Sequence, residues 1–122
     1  MAATLTIAVL TLNEAKRISA CLGSAGFADQ LLVVDGGSTD GTAEIARELG
    51  AEVHTYSDWQ GFAAQRNRLI AHARCDFILF LDADEEITPA LRDELQGRVR
   101  KRLEALLSGA GTGSSQIRAT PV

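Results

Sequence analysis

Asp82 and Asp84 stand two residues apart, directly after the apolar run Phe77-Ile78-Leu79-Phe80-Leu81. Five apolar residues with an acid, Asp76, just before them read as a strand buried on both faces. At the end of such a strand, two carboxylates are held close together on rigid backbone. Hard divalent cations such as Mg2+ or Mn2+ take oxygen ligands of this kind, and phosphate oxygens complete the shell. The plainer alternative is a solvated acidic loop, since Glu85 and Glu86 extend the acid run.

Two more polar clusters follow apolar strands. Asn13-Glu14 breaks a first strand over residues 5–12. Asp35 ends a second, over residues 30–34, and leads into Gly36-Gly37-Ser38-Thr39-Asp40-Gly41. Glycines let the backbone turn sharply and approach a ligand closely. A carboxylate at that point can accept a hydrogen bond from a base N–H or a ribose hydroxyl. Ser38 or Asp40 can cap the next helix, so an ordinary strand–turn–helix junction also accounts for these residues. Gln65-Arg66-Asn67 lies on a helix, where Arg66 can meet an anion or simply face solvent. Trp59 can stack on a ring or sit half-buried in its loop. His54 and His72 have no partner acids at metal-ligand spacing and receive no role.

The elements that must position these residues alternate. Helices are predicted over residues 14–24 (Ile18, Cys21 and Leu22 inward), from the Gly-rich turn to about Leu49, and over residues 62–73 (Leu69, Ile70 and Ala73 inward). A short third strand covers residues 52–56, and residues 77–81 form the fourth. Strand–helix alternation of this kind predicts an α/β fold, a parallel sheet of about four strands with flanking helices. Ligands of open parallel sheets bind outside the carboxyl ends of the strands. The clusters at 13–14, 35–40 and 82–84 are therefore predicted to converge on one rim. Thr88 and Pro89 suit the start of a last helix. Its apolar stripe is Leu91, Leu95, Val99 and Leu103, beside Arg98, Arg100, Lys101 and Arg102. The basic residues fit a solvated face better than a surface docking on a partner or a membrane. No strand pattern follows Leu81, and residues 108–122 read as a disordered tail after a domain spanning 1–107.

The chain's 122 residues suffice for one domain. Its net charge of −4 gives no basic surface, which argues against nucleic acid as a partner. Cys21 and Cys75 are far apart and read as reduced thiols of a cytoplasmic protein. The N-terminus reads as a strand rather than a signal peptide.

Taken together, Thr11-Leu12-Asn13-Glu14, Val33-Val34-Asp35-Gly36-Gly37-Ser38-Thr39-Asp40-Gly41-Thr42, Gln65-Arg66-Asn67 and Phe80-Leu81-Asp82-Ala83-Asp84-Glu85 resemble family 2 glycosyltransferases, in the same order. The form of the motifs is most similar to the bacterial enzymes of lipopolysaccharide core synthesis. The resemblance covers residues 5–95. It implies the N-terminal half of a GT-A nucleotide-binding fold and a nucleotide-sugar donor, typically a UDP-sugar. It also implies Mg2+ or Mn2+ as cofactor, a glycan or lipid acceptor, and work in the cytoplasm, with the inner face of the membrane as an option. Thr11, Asn13 and Glu14 would line the nucleotide pocket, and Asp35 would bind the base. Gly36 and Ser38 would shape its wall, and Arg66 would face the diphosphate or sugar. Asp82 would contact ribose or metal, and Asp84 would hold the metal.

Family members continue past this point into an acceptor-binding half that carries the general base. No such pattern follows residue 95, so a truncated or frameshifted member without that half is expected, and its catalytic base is unassigned. A catalytically inactive nucleotide-sugar-binding remnant is the alternative. The fourth strand would then present an apolar edge, which predicts self-association. A haloacid-dehalogenase-type phosphatase also places two aspartates after a strand, but Glu86 stands where that family has Thr or Val. A Rossmann dehydrogenase is disfavoured because no G-x-G-x-x-G follows the first strand.

Overall fold

The computed structural model describes residues 3–107 and 116–118, with side chains described as far as Val99 and at Lys101. As far as α4 the elements alternate as the sequence predicts, and one further strand follows: β1 (Leu5–Thr11), α1 (Ile18–Ser24), β2 (Gln30–Asp35), α2 (Thr42–Glu48), β3 (Glu52–Thr55), α3 (Phe62–His72), β4 (Phe77–Asp82), α4 (Pro89–Leu107) and β5 (Gln116–Arg118). The strands form one parallel sheet in the order β3-β2-β1-β4-β5.

β1 lies at the centre, and its side chains alternate between two cores. Leu5, Ile7 and Val9 join Val33, Leu79 and Leu81 on one face, under Ile18, Cys21 and Leu22 of α1, Ala46 of α2, and Leu95 and Val99 of α4. Ala8, Leu32, Val34 and Ile78 face the other way, under Leu69 of α3. Covering on both faces explains why these strands read as continuous apolar runs. The buried amide of Gln30 is satisfied: its Oε1 accepts from Thr6 Oγ1 at 2.7 Å and from the Arg74 N–H at 2.9 Å, and its Nε2 donates to the His72 carbonyl at 3.1 Å.

Several expectations are corrected. α1 begins at Ile18 rather than at Glu14. Asn13 adopts a left-handed backbone, with φ 54°, and the amides of Glu14 and Ala15 are taken by Thr42 and Asp40 of the neighbouring loop. Residues 14–17 therefore form a turn, closed by Arg17 N–H and Ile18 N–H to the Glu14 carbonyl. On α3, Leu69 is buried, but Ile70 is 40% exposed. A strand does occur after Leu81: β5 pairs with β4 through Gln116, Ile117 and Arg118 opposite Ile78, Leu79 and Phe80. The β4 edge expected to be open is thus paired over those residues. A three-residue strand with one apolar residue carries no readable period. The rest of the expected disordered tail, and Leu103 of the α4 stripe, lie outside the described residues and side chains.

α4 starts as predicted, with the Leu91 N–H donating to Thr88 Oγ1 at 3.1 Å and Pro89 in the first helical position. Leu95 and Val99 are buried, whereas Arg98 is exposed and paired with Glu94 at 2.8 Å. Among the described residues, no helix is long and apolar enough to cross a membrane.

Candidate functional site

Strand register brings the three polar clusters to one rim. Thr11 stands opposite Asp35 on β2, and Leu10 stands opposite Asp82 on β4. The ends of β2, β1 and β4 are therefore consecutive neighbours, spaced about 4.8 Å apart.

Asp35 organises the first part of this rim. It is 1% exposed. Its Oδ1 accepts from Thr11 Oγ1 at 2.6 Å and Ser38 Oγ at 2.5 Å. Its Oδ2 accepts from the N–H groups of Ser38 at 2.7 Å and Gly37 at 3.1 Å. Burial pushes the carboxyl up, but these hydrogen bonds outweigh it, Ser38 foremost, and hold Asp35 below the usual carboxylate range. The carboxylate expected to meet a base is thus fully occupied within the chain. It ties the strand end to the loop that follows. Gly37 completes that turn with φ 101°, a left-handed backbone that favours glycine, and a Cβ there would stand 3.0 Å from Ser57 Oγ, which a small shift of that hydroxyl relieves.

The β1–α1 loop is stitched to the same turn. The Asn13 N–H donates to Ser38 Oγ at 2.8 Å, and Asn13 Oδ1 accepts from the Thr39 N–H at 2.9 Å. The Glu14 N–H donates to Thr42 Oγ1 at 2.9 Å. Asp40 accepts from the Ala15 and Thr42 N–H groups, each at 3.1 Å, and from the Thr42 hydroxyl. The Thr42 hydroxyl foremost, then these amides, lower the Asp40 pKa against the opposing effect of burial. The hydrogen bonds of Asn13, Ser38, Asp40 and Thr42 thus tie the two loops to each other and to Asp35. What they leave open is a groove of about 400 Å³, lined by Thr11, Glu14, Gly36, Trp59, Phe62 and Gln65 among others.

The groove has an aromatic side. Trp59 and Phe62 are 57% and 75% exposed and meet edge to face at 4.9 Å. The loop carrying Trp59 is held from α3, where Arg68 pairs with Asp58 at 2.8 Å, donates to Gln65 Oε1 at 2.6 Å and lies over the Tyr56 ring. Sequence reasoning missed Phe62 and the burial of Gln65. Their signal was spacing: Phe62 follows Trp59 by three residues and Gln65 follows Phe62 by three, which puts Phe62 and Gln65 on one face of α3.

Asp82 and Asp84 form the other end of the rim. Both side chains are exposed, while Ala83 between them is buried. Glu85 braces the turn, its Oε1 accepting from the Asp82 N–H at 3.0 Å. Among the described residues, no hydrogen bond or ion pair engages the side-chain oxygens of Asp82 or Asp84. The donor set therefore fits a hard cation that keeps further positions for phosphate oxygens and water. Arg66 lies with its guanidinium 4.7 Å from the centre of the Phe80 ring, on the strand face that Phe80 shares with Asp82. Among the described residues it forms no ion pair, so its charge is open to an anion.

Cys21 closes the rim from below. Its thiol contacts the Asp82 carbonyl at 3.5 Å. Burial first, and then the charges of Glu85, Asp84, Glu86 and Asp82, push its pKa up to about 12.

The model of "Glycosyl transferase family 2" matches residues 6–109. The chain belongs to that family. An uncharacterized glycosyltransferase of Rickettsia bellii is 40% identical over 89 residues, covering 72% of this chain and 30% of the relative. The lipopolysaccharide core biosynthesis glycosyltransferase LpsC of Rhizobium meliloti is 31% identical over 91 residues, covering 71% of this chain and 34% of LpsC. Among solved structures, glucosyl-3-phosphoglycerate synthase of Mycobacterium tuberculosis in complex with UDP superposes with a TM-score of 0.61 at 27% identity, over 68% of this chain and 34% of that one. The chain thus spans about a third of the length of these relatives.

The histidines given no role are also corrected. The His54 and His72 rings stack at 3.6 Å, and Glu52 joins them in a group whose ligand atoms lie within 4.8 Å of one another. The acid two residues before His54 was the available signal.

Proposed function

We propose that this chain is the donor-binding part of a glycosyltransferase that moves a sugar from a UDP-type nucleotide-sugar to a cell-envelope glycan or lipid acceptor, of the lipopolysaccharide core class. The observation that carries the reading is the strand register that joins a half-aromatic groove to two unengaged carboxylates. In this reading the base and ribose enter the groove against Trp59 and Phe62. Gly36 leaves the floor open, Thr11 lines it, and Glu14 offers acceptor oxygens to hydroxyl or N–H groups. Asp35 acts on the base through the loop it fixes, together with Asn13 and Ser38. Arg66 meets the diphosphate or sugar. Asp82 and Asp84 would hold Mg2+ or Mn2+ and Asp82 the ribose as well. The cation would offset the charge that develops on the leaving nucleoside diphosphate. Without such a cation, a diphosphate next to these acids would be repelled at close range. The relation to LpsC supports the envelope acceptor, and the UDP complex of the mycobacterial synthase supports the donor class.

One observation favours a second reading, donor binding without transfer. Glu85 turns one carboxylate oxygen back onto the Asp82 N–H of its own turn, and no general base is assigned among the described residues. A panel of nucleotide-sugars with Mn2+ or Mg2+ in thermal denaturation separates these readings from no binding at all, because a ligand of the folded state raises the melting point. A rise with UDP-sugars in the presence of metal supports the donor site. Release of sugar or UDP in a coupled assay then distinguishes transfer or hydrolysis from binding alone. No rise with any nucleotide contradicts both readings.

A further inference from the structure

A second set of metal-type ligands lies away from the rim. Glu52 and His54 are two residues apart on β3, so they project from the same face of this strand. His72 is the last residue of α3, the helix that covers that face. Together the three offer ligand atoms within 4.8 Å of one another. We propose that Glu52, His54 and His72 bind a zinc-type divalent cation that clips the edge strand β3 to the C-terminal end of α3.

The donor set is two imidazoles and one carboxylate, which suits zinc and its neighbours in the transition series rather than magnesium or calcium. Three protein ligands leave a fourth position for water. The ligands are also held from behind. Glu52 Oε1 accepts from Arg74 NH1 at 2.6 Å and from Gln30 Nε2 at 3.4 Å, which leaves Oε2 facing His54 Nε2 at 2.6 Å. The two imidazole rings stack at 3.6 Å within 6° of parallel, so binding requires one ring to turn until both lone pairs meet the ion. The Tyr56 hydroxyl, 2.8 Å from His72 Nε2, holds that ring when Nδ1 ligates. Partners of this kind fix ligand orientation around metals. Ligand atoms of a tetrahedral zinc stand about 3.3 Å apart, given bonds of about 2.0–2.1 Å. The cation would thus replace the proton between Glu52 and His54, open that pair by less than about 1 Å, and draw ligand atoms up to 4.8 Å apart together by about 1.5 Å. The Arg74 charge opposes a cation, but its side chain is 67% exposed and engages the other carboxylate oxygen. Side-chain exposures of 32% for His54 and 30% for Glu52 give an ion access.

The site differs in place and chemistry from the aspartate pair. β3 and β4 are three strand spacings apart, about 14 Å, and Asp82 and Asp84 offer only oxygen. β3 has four residues and ends the sheet. A clip to α3 would stabilise a strand that has one neighbour.

The test uses the untagged, metal-stripped full chain. Titration with ZnCl2 in a calorimeter is expected to show one tight site per chain and a higher melting point. Binding should persist in the Asp82→Asn/Asp84→Asn double variant, survive excess Mg2+, and weaken at least tenfold in His54→Gln and in His72→Gln. With Co2+, the unsubstituted chain should give the visible absorption of a four-coordinate centre, a readout that needs no variant to fold. Zinc binding unchanged by either histidine substitution, lost with the aspartates, or accompanied by six-coordinate Co2+ spectra would overturn the assignment.

Discussion

At the scale of single residues, Asp35 and Gly36 separate two jobs that adjacent positions perform. Asp35 holds the loop. Asp35→Asn keeps the shape but removes the charge from four hydrogen bonds, and bonds to charged groups contribute about 1.5–3 kcal/mol each. We expect a loss of at least about 2 kcal/mol in denaturant unfolding. The folded pKa of Asp35 lies below its unfolded value, so this stability is full above about pH 4 and fades as pH falls through the folded value. The gap between parent and variant should therefore shrink in acid, and a pH-independent gap would assign the effect to packing. Gly36 is different. A Cβ there meets only Leu12 and the Thr11 carbonyl at 3.6 Å and Gln65 at 3.8 Å, all ordinary contacts. Gly36→Ala should leave the melting point nearly unchanged and narrow the groove, seen as weaker nucleotide binding. The Cys21 thiol, raised to about 12, should resist iodoacetamide at pH 8 in the folded chain and react once urea unfolds it. Fast labelling of Cys21 in the native state would contradict its burial against the acid turn.

At the scale of elements, β4 matters most, because it joins the core to the acid pair. Leu79 is fully buried on it. Leu79→Ala should cost about 2–5 kcal/mol in chemical denaturation. Strands β1, β2 and β4 were legible because each is an apolar run that ends at a polar residue. Thr88-Pro89 likewise marked the start of α4. The start of α1 was not legible. It is set by Asp40 and Thr42, some 25 residues away, which capture the amides of Ala15 and Glu14. Local pattern carries no information on such a bond. Ile70 and Leu69 are both apolar, and only the tilt of α3 on the sheet decides which is covered. The rim itself was legible as three motifs at strand ends. That the Asp35 carboxylate is saturated was legible only in part: the Gly37 and Ser38 N–H groups and the Ser38 hydroxyl lie within three residues of it, but the Thr11 hydroxyl arrives through the tertiary pairing of β1 with β2. The Glu52–His54–His72 group was missed for the same reason: His72 arrives from α3.

At the scale of the whole molecule, a parallel sheet places Thr11, Asp35 and Asp82 side by side although they are distant in sequence. One end of that arrangement offers a groove with aromatic faces, and the other offers charge. The account stands on the claim that the charged end works through a cation. Titration of UDP into the chain in a calorimeter, with and without Mn2+, and then into Asp84→Asn, tests this most directly. We expect binding that requires Mn2+ and weakens at least tenfold in the variant, about 1.4 kcal/mol. Equal affinity with and without Mn2+, or an unchanged affinity in the variant, would contradict it.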